Sequence, residues 1–210
     1  MVSHGDTKLE VLAQGKGPTI VMLPSLGRGA SDFDAIADKL AEAGFRVLRP
    51  EPRGIGKSTG PWQGVKLEDL AADIAAVIEQ DKNGPAFVVG HAFGNRVARM
   101  LATARPDLVR AVSLVAANVG RNPSPPNVRA AIRLSADLKA PDDERVKAMQ
   151  FVFFAPGSDA RVWLKGWYPD VLAAQRIAGD LTPREIDYAA GKAPILDDTP
   201  LSDNIYAEDR

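Results

Sequence analysis

The sequence predicts an α/β fold, a mostly parallel sheet flanked by helices, and three observations carry that expectation. Short β-type runs alternate with longer helical patterns through the first 120 residues. One of those runs passes into a helix through a Gly-x-x-x-Gly corner, Gly90 to Gly94. From Arg121 the texture changes to helical patterns with no strong strand until about Ala190. Strands alternating with helices imply a parallel sheet buried on both faces.

The elements follow in order. Residues 9–13 and 19–23 read as strands separated by the turn Gly15-Lys16-Gly17-Pro18. Residues 32–43 place Phe33, Ile36 and Leu40 at helical spacing, with Gly44 just beyond as a C-cap. Residues 45–48 form the next strand. Residues 67–79 are an amphipathic helix, because Leu67, Leu70, Ile74, Val77 and Ile78 share one face. Residues 86–89 are a compact apolar strand, 95–104 a helix closed by Pro106, and 111–116 a further buried strand. Pro123, Pro125 and Pro126 mark a hinge-like break before the helical stretch, and Asp142-Asp143-Glu144-Arg145 reads as a helix start, where acidic groups suit the macrodipole. Residues 192–210 open with a short apolar run and then turn polar and acidic. The expected organisation is a core over 1–120, a helical insertion over 121–190, and a core-strand remnant with a polar tail over 191–210.

Composition narrows the function. The chain has 210 residues, 45% hydrophobic and 25% charged, the balance of a globular protein. With 26 basic against 27 acidic residues, it offers no electrostatic footprint for nucleic acid or an anionic membrane surface. There is no cysteine, which excludes disulfides, thiolate chemistry and cysteine metal sites. No apolar run has the length of a membrane span, and the N-terminus has no signal-peptide pattern, so a cytoplasmic location is expected. No His/Asp/Glu cluster has metal-ligand spacing, so neither metal nor cofactor is expected.

The corner at Gly90-His91-Ala92-Phe93-Gly94 carries the most chemistry. A strand entering a helix through this pattern is the frame of a nucleophile elbow, which holds one side chain out on a strained turn. The glycines are needed because strand and helix come so close that a Cβ at either flank would clash. The central residue is normally the nucleophile, and here it is Ala92, whose methyl group cannot attack a carbonyl.

Three segments together resemble the α/β-hydrolase superfamily: Leu23-Pro24-Ser25-Leu26-Gly27, Pro52-Arg53-Gly54-Ile55-Gly56-Lys57-Ser58, and Gly90 to Gly94. Their order and spacing are similar to the family's loops after its third and fourth strands and its elbow, and the resemblance covers roughly residues 7–196. It implies an α/β-hydrolase fold with a helical cap. It also implies that the backbone N–H groups of Leu26 and Phe93 form an oxyanion hole, donors typically contributing about 3–4 kcal/mol each. Ser25 and Pro24 depart from the family's usual glycine and histidine. The resemblance further implies an acid near Leu196-Asp197-Asp198, with Asp198 in its place, and a histidine after a final strand. Neither that strand and helix nor that histidine follows in this chain, whose histidines are His4, in the N-terminal segment, and His91, for which a packing role is expected. Loss of serine or histidine from a triad costs roughly 10⁶ in turnover.

Other features have duller readings beside the sharp ones. Gly54-Ile55-Gly56-Lys57-Ser58-Thr59 resembles the end of a phosphate loop, but Glu51 stands where that motif needs glycine, and Gly60-Pro61 breaks the helix it requires. Arg53 and Ser58 are expected to fix this loop's backbone instead. Phe151, Phe153, Phe154, Trp163, Trp167 and Tyr168 either line an apolar pocket or make the core of short helices, and the sequence favours neither. Ser25, Trp62 and Trp163 are the candidate pocket-lining residues, with Trp62 equally readable as a loop anchor. Three functions fit: an impaired ester or small-molecule hydrolase that also lacks its last strand and helix; a non-catalytic protein that binds a small apolar molecule in the old pocket; and an active hydrolase whose serine has been replaced by Ala92.

Overall fold

The computed structural model describes residues 1–117, 124–182 and 195–197. The chain opens with an antiparallel hairpin, β1 (Val2–His4) and β2 (Thr7–Leu9), closed by Gly5 at φ +54°. His4 is therefore a hairpin residue, and Val2 and Leu9 join the main core. The expected strand over 9–13 divides here: β2 ends at Leu9, and β3 (Val11–Gln14) begins a different sheet. The apolar residues on either side of Glu10 hid this break, because periodicity alone does not mark a change of sheet.

The main sheet also contains β4 (Thr19–Leu23), β5 (Arg46–Pro50), β6 (Ala86–His91), β7 (Val109–Val115) and β8 (Ile195–Asp197). Its order is β3-β5-β4-β6-β7-β8, with only β3 antiparallel to its neighbour. After a 3₁₀ turn at Ala30–Phe33, α1 (Asp34–Glu42) connects β4 to β5. The expected helix over 32–43 thus starts in the tighter form, and Gly44 follows its end at φ +86°. α2 (Leu67–Asp81) connects β5 to β6, and α3 (Phe93–Ala104) connects β6 to β7.

Side-chain alternation explains the layers. On β4, Ile20 and Met22 face Phe33 and Ala37 on the α1 side, while Val21 and Leu23 face α2 and α3. All five residues of β4 are buried, as a central parallel strand requires. The five apolar residues of α2 named from spacing are all buried against the second face. The chain leaves β4 toward β5 on one side and returns to β6 on the other. Such a reversal opens a crevice at the carboxyl ends of the two strands, where ligands bind in open α/β sheets.

Three further helices, α4 (Pro126–Ala136), α5 (Asp142–Val152) and α6 (Pro169–Leu181), follow β7. The acidic first turn of α5 is as expected, and Arg145 pairs with Asp142 there. Met149, Ala160, Trp167 and Leu172 form a separate small core with Ala136. No helix among the described residues is long and apolar enough to cross a membrane.

Candidate functional site

The elbow sits at the end of β6. Ala92 adopts φ +48° and ψ −106°, a conformation that costs a non-glycine residue roughly 1–3 kcal/mol. Neighbouring bonds hold it there. The Ala92 N–H donates to Val115 O at 3.0 Å, the Asn95 N–H to Ala92 O at 3.1 Å, and Asn95 Nδ2 to Val115 O at 3.0 Å. A Cβ on Gly90 would lie 2.5 Å from Gly94 O, and one on Gly94 would overlap the carbonyl of Leu23. Both glycines are thus fixed by backbone packing, and the second brings the elbow against the end of β4.

The loop after β4 faces the elbow across the crevice, and α6 and the segment before it grip that loop. The Gly27 N–H donates to Gln175 Oε1 at 2.7 Å, and Gly27 O accepts from the Tyr168 N–H at 3.0 Å. Gly27 has φ +65°, and a Cβ there would lie 2.6 Å from Leu172 Cβ. Arg28 is 3% exposed, pairs with Asp32, and donates to the carbonyls of Trp163 and Lys165. Its guanidinium carbon also lies 4.8 Å and 4.9 Å from the ring centroids of Trp163 and Trp167. The Ala30 N–H donates to Glu51 Oε2 at 2.9 Å. By contrast, the N–H groups of Leu26 and Phe93 have no protein acceptor among the described residues.

Beside the elbow lies a mostly apolar cavity of about 50 Å³, walled by Leu23, Trp62, Phe93, Val97 and Gln175. Glu51, Arg53 and Asp73 are its charged lining residues. Arg53 donates from Nε and Nη2 to the two oxygens of Asp73 at 2.7 and 3.0 Å, and His4 Nδ1 lies 3.2 Å from the same carboxylate. Arg53 also donates to Pro61 O, while Ser58 Oγ bridges the Glu10 N–H and Glu51 O. These bonds make Arg53 and Ser58 the backbone clamps expected of them. Burial pushes the Glu51 carboxyl above the ordinary glutamate range, against the opposing Ala30 N–H bond, and the nearby Glu10 charge adds to the upward shift.

The candidate residues therefore separate. Trp62 and Phe93 line this cavity, whereas Ala92, Leu26, Ser25 and Trp163 do not. Ser25 is buried in the loop and accepts the Arg28 N–H at its carbonyl. Trp163 instead borders a second, more open cleft with Arg28, Asp32 and Lys165. His91 meets Trp163 edge-on, with centroids 6.1 Å apart, as a packing role requires. Phe153, Phe154 and Trp167 surround Trp163 at 5.3–6.2 Å; Trp167, with Phe154 and Trp163 against it, belongs to the small core of the later helices, while Phe151, Phe153 and Tyr168 are exposed. Asp198 lies outside the described residues; Asp197 pairs with Leu114 through the backbone. Among the described residues, no group of three His, Cys, Asp or Glu side chains could hold a metal ion.

Sequence reasoning passed over Gln175, Arg28 and Glu51. Gln175 left one usable signal, a polar residue in the apolar stripe Val171, Leu172, Ala178.

A crossover sheet with an elbow at its reversal point defines the class, and the comparisons agree. A family model described as alpha/beta hydrolase fold matches residues 18–150, more than half of the chain, and the chain belongs to that family. It is 32% identical over 111 residues to a 2-(acetamidomethylene)succinate hydrolase of Mesorhizobium japonicum, covering 53% of this chain and 40% of that protein. It is 34% identical over 123 residues to the AB hydrolase superfamily protein YfhM of Bacillus subtilis, covering 56% and 42%. The matches thus span about two fifths of these curated relatives' length. Among solved structures, an esterase from Exiguobacterium antarcticum shares the fold with a TM-score of 0.73 at 21% identity, covering 91% of this chain and 76% of that one.

Proposed function

We propose that this chain descends from an ester or small-molecule hydrolase, does not perform acyl transfer at its elbow, and receives a small apolar molecule in the cavity beside it. The observation that carries this reading is Ala92. The strained turn, both glycines and the supporting bonds are kept, while the residue they hold out has no atom that can form an acyl intermediate. Neither histidine of the sequence supplies a general base: His4 is engaged with Asp73, and His91 packs on Trp163. Leu26 and Phe93 keep oxyanion-hole donors without a reaction to serve, Trp62 is the principal ligand contact, and α4, α5 and α6 act as a cap.

A second reading is favoured by those two uncommitted N–H groups. Here Ala92 is an engineered substitution of an active hydrolase's serine, with Asp198 as the acid, and Ala92→Ser restores hydrolysis only if a histidine from outside this sequence completes the triad. One experiment addresses both. The protein and its Ala92→Ser variant are assayed on p-nitrophenyl acetate, and short-chain esters and ketones are screened for a rise in Tm, which ligand linkage requires of any binder. The expected results are hydrolysis no faster than buffer for the parent and a raised Tm for at least one compound. Sustained turnover by the parent would overturn the inactive reading, and a panel without any shift would overturn the binding reading. Turnover gained only by Ala92→Ser would favour the second reading.

A further inference from the structure

The orientation of Gln175 has a chemical consequence for the cavity. Gln175 is 3% exposed and stands in the cavity wall. Its amide can be placed in only one sense, because the Gly27 N–H needs an acceptor and therefore faces Oε1 at 2.7 Å. That leaves Nε2, with two N–H donors and no acceptor among the described residues. Nε2 is not sealed inside the protein, so these donors are open to whatever occupies the cavity. No hydrogen bond joins Nε2 to the nearby carboxylates, of which Asp73 is held by Arg53 and Glu51 by the Ala30 N–H.

We propose that Gln175 is the polar recognition group of this cavity, giving its side-chain N–H to the carbonyl oxygen of a small, uncharged, otherwise apolar ligand such as a ketone, ester or amide. The inference rests on the cavity's being the ligand site. The ligand's neutrality follows from the surrounding charges. Arg53 is committed to the Asp73 carboxylate and Pro61 O, so an anion finds no free cation here and one acidic neighbour. A ligand of the same shape without an acceptor would strip water from the Gln175 donors and leave them unpaired, the situation in which binding sites discriminate most. The same side chain holds Gly27, so a ligand bound here is also tied to the loop that carries Leu26.

The test compares cyclohexanone with methylenecyclohexane, which has nearly the same shape with C=CH₂ in place of C=O. Both are titrated into ¹⁵N-labelled protein and into Gln175→Glu, which keeps an oxygen for the Gly27 N–H but has no N–H to offer. For the parent, the ketone is expected to bind about fivefold tighter, the effect of one net hydrogen bond. The ketone alone should also shift the side-chain amide pair that is missing from the variant's spectrum. In Gln175→Glu, the preference should vanish while the alkene still binds. Equal binding in the parent, or a ketone preference that persists in the variant, would overturn the role of Gln175 and leave the cavity as a ligand site. Failure of both compounds to bind the parent would overturn the cavity reading and this inference together. Cyclohexanecarboxylate should bind more weakly than the ketone, and tighter binding would overturn the preference for an uncharged ligand.

Discussion

At the level of single residues, two carry unfavourable states that their surroundings offset. Ala92 holds a positive φ because Val115 O, Asn95 and the two flanking glycines leave the chain no other course through the corner. That strained turn with a methyl side chain is the observation on which the proposed loss of acyl transfer rests. Glu51 is the second case. Its carboxyl is pushed up mainly by burial, so the folded protein holds that proton more tightly than the unfolded chain does. The stabilisation from this group is therefore fully present below the unfolded value, about 4.3. It is lost as pH rises from there through the higher folded value. Glu51→Gln keeps an oxygen for the Ala30 N–H and removes the titration. The Tm of the variant minus that of the parent should then increase as pH is raised from about 4 to neutrality. Melting curves followed by circular dichroism over that range would check this, and a constant gap would contradict it.

At the level of elements, the loop after β4 is shaped by a segment more than 130 residues away in sequence. Arg28 is the main link, donating to Asp32 and to two carbonyls of the Trp163–Trp167 stretch while lying over both indoles. Its side chain and that of Asp32 are both buried, so removing the guanidinium strands a carboxylate and two carbonyl groups. Arg28→Leu should lower stability by about 3–5 kcal/mol, the usual cost of breaking one half of a buried pair. Arg28→Lys should fall between the two, because an ammonium cannot reproduce the planar fork. Urea unfolding would measure both, and a loss below about 1 kcal/mol for Arg28→Leu would show that the link contributes little.

At the level of the whole molecule, the sheet and the later helices are joined by bonds rather than only by apposition. Gln175 and Tyr168 hold Gly27, the Leu67 N–H donates to Thr182 Oγ1 at 2.9 Å, and Arg96 donates to Gly179 O at the same distance. These ties cross between parts with separate apolar cores. They predict a single cooperative transition. Thermal unfolding followed by tryptophan fluorescence, dominated by Trp163 and Trp167, should coincide with unfolding followed by far-ultraviolet circular dichroism. An earlier fluorescence transition would show that the helices open on their own.

Local sequence determined much of this protein. The α2 face, the burial of β4 and the Gly-x-x-x-Gly corner were legible because helix period, continuous apolar character and glycine each act over a few residues. The absence of a hydroxyl at Ala92 was legible too, since the frame fixes which position matters. Tertiary structure alone decided the division of the first strands between two sheets and the pairing of His4 with Asp73. It also decided the grouping of Trp163 with Arg28 rather than with the cavity. The same holds for Gln175, whose partner Gly27 lies 148 residues earlier. The reason is the range of the interactions: a buried polar side chain is chosen to match an acceptor or donor that another part of the chain delivers, and no local pattern records which part that will be.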